Sequence, residues 1–212
     1  MSEILTTKEE LLNKLRDYVG TPDDDNIRYK EKIHDALLNN AELLYALNNE
    51  ELESELFDGN ELNIDEDTGE LLGEVDRYFG DNSNIRPYLF IPDTQTDVKH
   101  YVCYQVAFDG LPRYSNIQKY TEITFNIFVN GKDRTDKLTG IPRHDLIASI
   151  IRERFNWSSI FGMQTHLISS KESVTDNNYL VRTLIFQVLD LNGIVNTPYG
   201  DKTYIRNNEY WQ

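Results

Sequence analysis

The second half of the chain alternates hydrophobic and polar residues in two stretches, as half-buried β-strands do. In residues 98–108 the apolar side chains occupy the even positions: Val98, Val102, Tyr104, Val106 and Phe108. In residues 121–129 they occupy the odd positions: Ile123, Phe125, Ile127 and Val129. Asn130-Gly131, directly after the second stretch, is a strong turn signal. The pattern predicts two strands, at 98–108 and 121–129.

An amphipathic helix is predicted after this turn, at about 143–157, with Pro142 opening it. Its apolar face carries Ile147, Ile150, Ile151 and Phe155. Its polar face carries Ser149, Arg152 and Glu153, so a single stripe should face a core. Gly162 is expected to close this element.

Two further strands are predicted, a weaker one at 163–170 and a stronger one at 179–189. The stronger one is apolar on both faces, as a central strand is: Leu184, Phe186 and Val188 against Val181, Ile185 and Leu189. The order strand, strand, helix, strand, strand predicts an α+β fold. We expect a mainly antiparallel sheet with one amphipathic helix packed on a face, together with an N-terminal helical extension.

The first part of the chain is read as helical. Thr6 and Thr7 stand three residues before Glu9 and Glu10, which is capping-box spacing for a helix at about 8–19. Further helices are predicted after the acidic run 23–25 and at 41–47. Residues 48–77 form an acidic segment that is interrupted by turn residues. Helices this short are not stable alone, so they must pack on each other, on the second half or on a neighbouring chain. The domains expected are an acidic extension at 1–80, an α+β core at 81–191 and an aromatic tail at 192–212.

Negative charge is concentrated in the first of these segments. Residues 1–80 hold 22 Asp and Glu against 7 Lys and Arg, and residues 81–212 hold 14 of each sign. The net charge of −15 therefore belongs to the first segment, whose carboxylates should face solvent, a channel or a basic neighbour. Such a balance argues against gripping nucleic-acid phosphates, which takes a basic face.

Cysteine content and hydropathy restrict the compartment. A single cysteine, Cys103, excludes an intrachain disulfide framework and suits a reducing compartment. The start of the chain lacks the basic and apolar regions of a signal peptide, and no apolar run approaches the roughly 20 residues of a membrane span. We expect a protein made in a cytoplasm, with no membrane partner.

Two acidic patterns resemble metal sites incompletely. Asn63, Asp65, Asp67 and Glu74 fall at positions 1, 3, 5 and 12 of an EF-hand loop. Position 1 should be Asp and position 6 should be Gly, where this chain has Thr68, so a solvated acidic turn is the favoured interpretation. Asp109 and Glu122 could be the acids of a Mg²⁺ nuclease, but Thr124 stands where that motif needs lysine.

The remaining titratable residues form no recognisable constellation. His34, His100, His144 and His166 are scattered over different predicted elements, and His100 and Cys103 should point to opposite faces of a strand. Arg143, Arg152 and Arg154 lie on one helix among Asp145 and Glu153, which favours a solvated helix face over a nucleic-acid patch. We expect no catalytic, cofactor-binding or metal site, and therefore no enzyme and no cofactor.

Residues 98–189 resemble the tail-terminator and neck proteins of long-tailed bacteriophages. The resemblance rests on the paired strands YVCYQVAF and YTEITFNIFV, the helix GIPRHDLIASIIRERFNW and the strand YLVRTLIFQVLD. It implies a non-enzymatic virion subunit that forms a ring, commonly of six, at the head–tail junction. Its implied partners are copies of itself, the tail tube and the head connector, with no specific nucleic-acid binding. The acidic helical segment is not part of the usual compact version of that family.

Two further expectations concern interfaces. Tyr199, Tyr204 and Trp211 lie outside any predicted core element, which makes them candidates for the subunit interface; the alternative is a disordered polar tail. The competing function is an acidic inhibitor, a DNA mimic that occupies a basic site on a host protein. Its support is the carboxylate density between residues 23 and 76.

Overall fold

The structure is a computed structural model that describes residues 7–17, 25–80, 83–89, 98–113, 117–175, 178–191, 194–196 and 202–204. The helices in these ranges are α1 Lys8–Asp17, α2 Asp25–Leu38, α3 Ala41–Ala46, α4 Glu50–Leu56 and α5 Arg143–Phe155, with a 3₁₀ turn at Val75–Tyr78. The strands are β1 Phe57–Asp58, β2 Glu61–Leu62, β3 Ile85–Arg86, β4 Tyr101–Gly110, β5 Gln118–Asn130, β6 Thr165–Val174, β7 Tyr179–Leu191, β8 Ile194–Asn196 and β9 Lys202–Tyr204. No described helix is long and apolar enough to cross a bilayer.

A five-stranded sheet of order β3-β4-β5-β7-β6 organises the second half of the chain. The pairs β4–β5, β5–β7 and β7–β6 are antiparallel, and β3 adds a short parallel edge to β4. Phe125 of β5 lies opposite Tyr104 on one side and Leu184 on the other, so β5 and β7 are the central strands. The α+β class and the mainly antiparallel sheet predicted from the alternating pattern are confirmed.

The core lies between this sheet and α5, on the helix stripe predicted from sequence. Ile147, Ile151 and Phe155 are fully buried, and the Phe155 ring lies 5.0 Å from Phe125, centroid to centroid. Ile150 is only partly buried at the margin of the stripe. The helix ends at Phe155 and not near Gly162, because Asn156 takes an extended conformation and Trp157 a positive φ of 61°.

Two apolar residues of the predicted first strand are not in the core. Val98 precedes β4, and Phe108 is 58% exposed near its far end. The 13 residues of α5 extend about 20 Å, whereas the 13 residues of β5 extend about 43 Å. One helix therefore cannot cover the full length of the sheet. The alternation of apolar and polar residues alone does not show at which residue of a strand the packing against the helix ends.

Helices α2, α3 and α4 belong to the same hydrophobic cluster as the sheet. Their buried residues are Tyr29, Ile33, Leu37, Leu43, Leu44, Leu47, Leu52 and Leu56. The cluster thus extends across the boundary drawn by charge at residue 80. At α1, Thr7 and Glu10 form the predicted capping box, with each backbone N–H donating to the other side chain at 3.0 and 3.2 Å. Residues 18–24 of the predicted first helix and acidic run lie outside the described ranges.

Helix α4 was not predicted, because its sequence EELESEL has only two buried apolar residues, Leu52 and Leu56. Its signal is the N-cap: Asn49 Oδ1 accepts a hydrogen bond from the Glu51 N–H at 3.1 Å, and glutamates fill the first turn. Both features stabilise a helix start independently of any apolar stripe.

The sheet face turned away from α5 is mostly polar, and we call it the polar face. At one end it carries a small buried cluster of Tyr101, Cys103, Phe128, Tyr179 and Val181. Its middle carries two apolar side chains, Ala107 and Ile185, among polar ones: Gln105, Glu122, Thr124, Asn126, Ser169, Lys171, Thr183 and Gln187. The buried residues of α2 to α5 that pack in the main cluster lie on the other face, so these four helices do not cover this middle region.

Candidate functional site

In the loop between β5 and α5, residues 131–142, the acidic side chains point inward and the basic ones point outward, and we call it the basic loop. Asp136 is buried and the Asp133 side chain is only 15% exposed. Lys132, Arg134 and Lys137 point outward and are exposed. The loop therefore presents cations to solvent although its sequence is nearly balanced in charge.

Arg143, the first residue of α5, holds the two acids in place. It is 2% exposed, with Nη2 3.3 Å from Asp133 Oδ1 and Nη1 3.6 Å from Asp136 Oδ1. Its Nη1 also donates to the Ala46 carbonyl oxygen at 3.1 Å. A buried guanidinium beside two carboxylates is compensated in charge, and its two terminal nitrogens donate hydrogen bonds, whereas its Nε has no hydrogen-bond partner among the described residues. One side chain thus joins the end of α3, the basic loop and α5.

His100 completes this network from the start of β4. Its Nδ1 accepts a hydrogen bond from the Asn130 N–H at 3.2 Å, so this nitrogen carries no proton. Its Nε2 therefore carries the proton and donates it to Asp133 Oδ2 at 3.0 Å. Burial is the main cause that lowers the pKa of His100, against the opposing effect of Asp133. The imidazole is neutral with both nitrogens engaged, so it offers no free nitrogen to a substrate or a metal.

The acids of the network are ionised. Burial disfavours the charge of Asp133, but hydrogen bonds from His100 and Asn48 together with the charge of Arg143 outweigh it and lower its pKa. The pKa of Asp136 is lowered mainly by the Thr139 N–H, which donates to its Oδ2 at 2.8 Å. An anion at each position suits the buried guanidinium between them.

Three asparagines extend the network to the junction of α3 and α4. Asn48, at a positive φ of 48°, donates to Asp133 Oδ2 at 2.6 Å. Asn49 donates to Asn84 Oδ1 at 2.9 Å, and Asn84 donates to the His100 carbonyl oxygen at 2.8 Å. Beside these groups lies a cleft of about 620 Å³ whose polar lining includes Asn48, Asn49, Glu50, Glu51, Lys99, Lys132 and Lys137. The arrangement joins segments that are distant in sequence, which is a structural role.

A family comparison covers this network. The model of the YomW family matches residues 40–188, more than half of the chain, from α3 to β7. The chain belongs to the YomW family. The family is phage-associated, so the chain is a phage-associated protein. A comparison with curated proteins gave no match.

The acidic residues predicted by EF-hand spacing form an exposed turn in this YomW-family chain. Asp65 Oδ1 accepts hydrogen bonds from the N–H groups of Asp67 and Thr68 at 2.9 and 2.8 Å. These two hydrogen bonds, of which the one from Thr68 has the larger effect, lower the pKa of Asp65. In the described residues no three His, Cys, Asp or Glu side chains are grouped as metal ligands. Asp109 and Glu122 bond separately to Gln187 and Thr124.

The prediction of a solvated helix face for the three arginines is wrong for Arg143. Arg152 and Arg154 are exposed, but Arg143 is buried in the network. A cation in the first turn opposes the positive end of the helix dipole, so its position already indicated a specific anionic partner. Two aspartates in the loop that precedes the helix, Asp133 and Asp136, were the available signal.

The other predicted residues are separate from this network. His34 Nε2 lies 2.9 Å from Asp76 Oδ1, His144 is buried with Nε2 3.2 Å from Glu172 Oε1, and the His166 ring stacks edge-on with Trp157. Tyr199 and Trp211 lie outside the described residues, and of Tyr204 only the backbone is described, in β9 paired with β8. Their place in a subunit interface stays a prediction.

Proposed function

We propose that this chain is a non-enzymatic virion structural protein that forms a ring at the phage head–tail junction, as a tail terminator or another neck subunit. It would be assembled in the host cytoplasm and carried in the virion. Its partners would be further copies of itself, the tail tube and the head connector. Membership in a phage-associated family supports the setting of this proposal.

The observation that carries the proposal is that the buried residues of α2 to α5 all pack on one face of the sheet, which leaves the middle of the other face polar in the described residues. The polar face bears hydroxyl, amide and carboxylate groups in its middle region, and Thr183 Oγ1 donates to Asn126 Oδ1 there at 2.9 Å. A surface of this kind, repeated around a ring, presents mostly uncharged polar groups to a central opening, with Glu122 and Lys171 balancing each other in charge. Neutral or acidic linings do not hold DNA phosphates, so a duplex could pass through.

The edges of the sheet supply a means of association. In the described residues β6 pairs only with β7, and β3 covers only Val102 and Cys103 of β4. Unpaired strand edges are templates for pairing with another chain. Contacts between two different surfaces of identical subunits are heterologous, and such contacts close into rings when the rotation permits.

The chemistry of the network supports a non-enzymatic role. The buried histidine uses both ring nitrogens inside the protein, and Arg143 and Asp133 are bound to each other. A general base or nucleophile must reach a substrate atom, and these groups are committed to internal partners.

The test is the size and shape of the purified full-length chain, by light scattering and electron microscopy, and its presence in purified phage particles by mass spectrometry. We expect rings with a central opening and a fixed copy number in particles. Duplex DNA at low salt should bind no better than to a neutral control protein, since attraction to a basic surface is strongest there. A chain that remains monomeric and is missing from particles would refute the proposal.

The second candidate is an acidic inhibitor of a basic host protein. The observation that favours it is the exposed carboxylates of α4 and of the segment after it, including Glu50, Glu51, Glu53, Glu66 and Glu70. Capture of one host protein in a stoichiometric complex, with no ring and no particle association, would establish this alternative over the ring.

A further inference from the structure

The basic loop exposes apolar side chains beside its cations. Leu138 is 76% exposed and Ile141 is 42% exposed. Lys132, Arg134 and Lys137 form no ion pair with any residue in the described ranges, because the loop's own acids are bound to Arg143. Lys99 lies across the adjoining cleft, which also contains Glu50 and Glu51 on its α4 side. The outward surface of the loop is therefore cationic and apolar.

A second surface has the opposite charge and also exposes apolar residues. It is the segment 61–72, which we call the acidic hairpin. It contains no Lys or Arg, and Glu61, Glu66, Asp67 and Glu70 are exposed. Leu62, Ile64 and Leu72 are 45%, 38% and 62% exposed. The Ile64–Leu71 bridge and the turn at Asp65 hold the hairpin in one conformation, so little order is lost when it binds.

The two surfaces lie at opposite ends of α4. Asn48, just before α4, donates to Asp133 of the basic loop, whereas the acidic hairpin follows β1 at the other end of the helix. The 7 residues of α4 separate these ends by about 10 Å. Two different surfaces on one copy can be joined head to tail between copies, which is the heterologous contact that closes rings. A twofold dimer would instead join both pairs of surfaces at once, and analytical ultracentrifugation distinguishes that dimer from a ring.

We propose that the basic loop of one copy docks on the acidic hairpin of the next copy. This inference rests on the ring proposed above and names its contact surface. Lysines of the loop would face glutamates of the hairpin, while Leu138 and Ile141 would cover Leu62, Ile64 and Leu72. Complementary charges set the register and the rate of association, and the apolar residues exclude water from the contact.

A charge-swap experiment on the full chain tests this contact. The variants are K132E/K137E, E66K/E70K and the combination of all four, with R152E/R154E on the exposed face of α5 as the control of equal charge change. All six positions are exposed, so the fold should be retained, as circular dichroism would check. Assembly is measured as a function of concentration by light scattering and analytical ultracentrifugation.

We expect each charge-reversed pair to weaken assembly by about tenfold or more, and the four-residue combination to recover assembly to within about threefold of wild type. The control pair should assemble as wild type does. Normal assembly of K132E/K137E, or no recovery in the combination, would overturn the inference while leaving the ring proposal intact. Salt-sensitive DNA binding that K132E/K137E abolishes, together with normal assembly, would make the basic loop a nucleic-acid surface instead. A wild-type chain that never assembles would refute the ring and this contact together.

Discussion

Replacing Arg143 with methionine should strongly destabilise the fold, although Arg143 lies in no apolar core. Methionine keeps most of the side-chain volume and removes the charge. It leaves Asp133 and Asp136 without the guanidinium that lies 3.2 and 3.6 Å from their carboxylate oxygens. It also removes the donor to the Ala46 carbonyl oxygen, which links α3 to α5.

The magnitude follows from the burial of the groups left behind. Their side chains are 15% exposed for Asp133 and 8% exposed for Asp136, so water can replace the lost cation only in part. Removing one partner of a buried ion pair costs about 3–5 kcal/mol. Asp133 keeps its bonds from His100 and Asn48, which favours the lower end of that range, about 3 kcal/mol. A loss of that size is a large share of a typical domain stability of roughly 5–15 kcal/mol.

Urea unfolding followed by circular dichroism measures this loss, with Arg152→Met on the exposed face of the same helix as the matched control. The control should stay within about 0.5 kcal/mol of wild type. Adding Asp133→Asn to Arg143→Met should cost less than the sum of the two single changes, with a coupling of about 1–3 kcal/mol. The two effects count as additive if their sum agrees with the double variant within about 0.5 kcal/mol. Additive effects, or an Arg143→Met protein whose free energy of unfolding lies within about 1 kcal/mol of wild type, would refute the reasoning about the network.

Three further outcomes are expected. Ile151→Asp should lower the free energy of unfolding by about 3 kcal/mol or more, because it buries an unpartnered charge. Ser149→Asp, on the exposed face of the same helix, should not. Equal thermal midpoints for the two variants would show that the stripe faces water. The pKa of His100 is lowered in the folded protein, so as pH falls the unfolded chain binds this proton first, near pH 6.5. Stability should therefore decrease below that pH, by at most about 1.4 kcal/mol per pH unit. His100→Gln should remove this pH dependence, and equal slopes for variant and wild type between pH 7 and 5 would contradict the argument. Deleting residues 197–212 should weaken assembly without lowering the thermal midpoint, and normal assembly of the truncated chain would exclude the tail from the interface.

The hydrophobic pattern by itself determined the sheet and the helix that covers it. Alternation in β4 and β5 and the stripe of α5 are local features, since each residue's face follows from the period of its own element. The ends of these elements were less determined. Phe108 continues the alternation of β4 but lies where no described helix covers the sheet, and α4 is stabilised by its Asn49 cap more than by a stripe.

Only the tertiary structure decided which polar residues are buried. His100 and Asp133 are ordinary in their local sequence. Arg143 is unusual as a cation in a first helical turn, but by its helix alone it is interpreted as part of a solvated face beside Arg152 and Arg154. Folding brings β4, the basic loop and α5 together, and the three side chains then satisfy one another at 3.0 to 3.3 Å. Burial of a charge depends on partners supplied by other elements. Periodicity within one element carries no information about those partners. Because Asp133 and Asp136 are bound to Arg143, the lysines and the arginine of the basic loop face outward, and the sequence pattern does not show this.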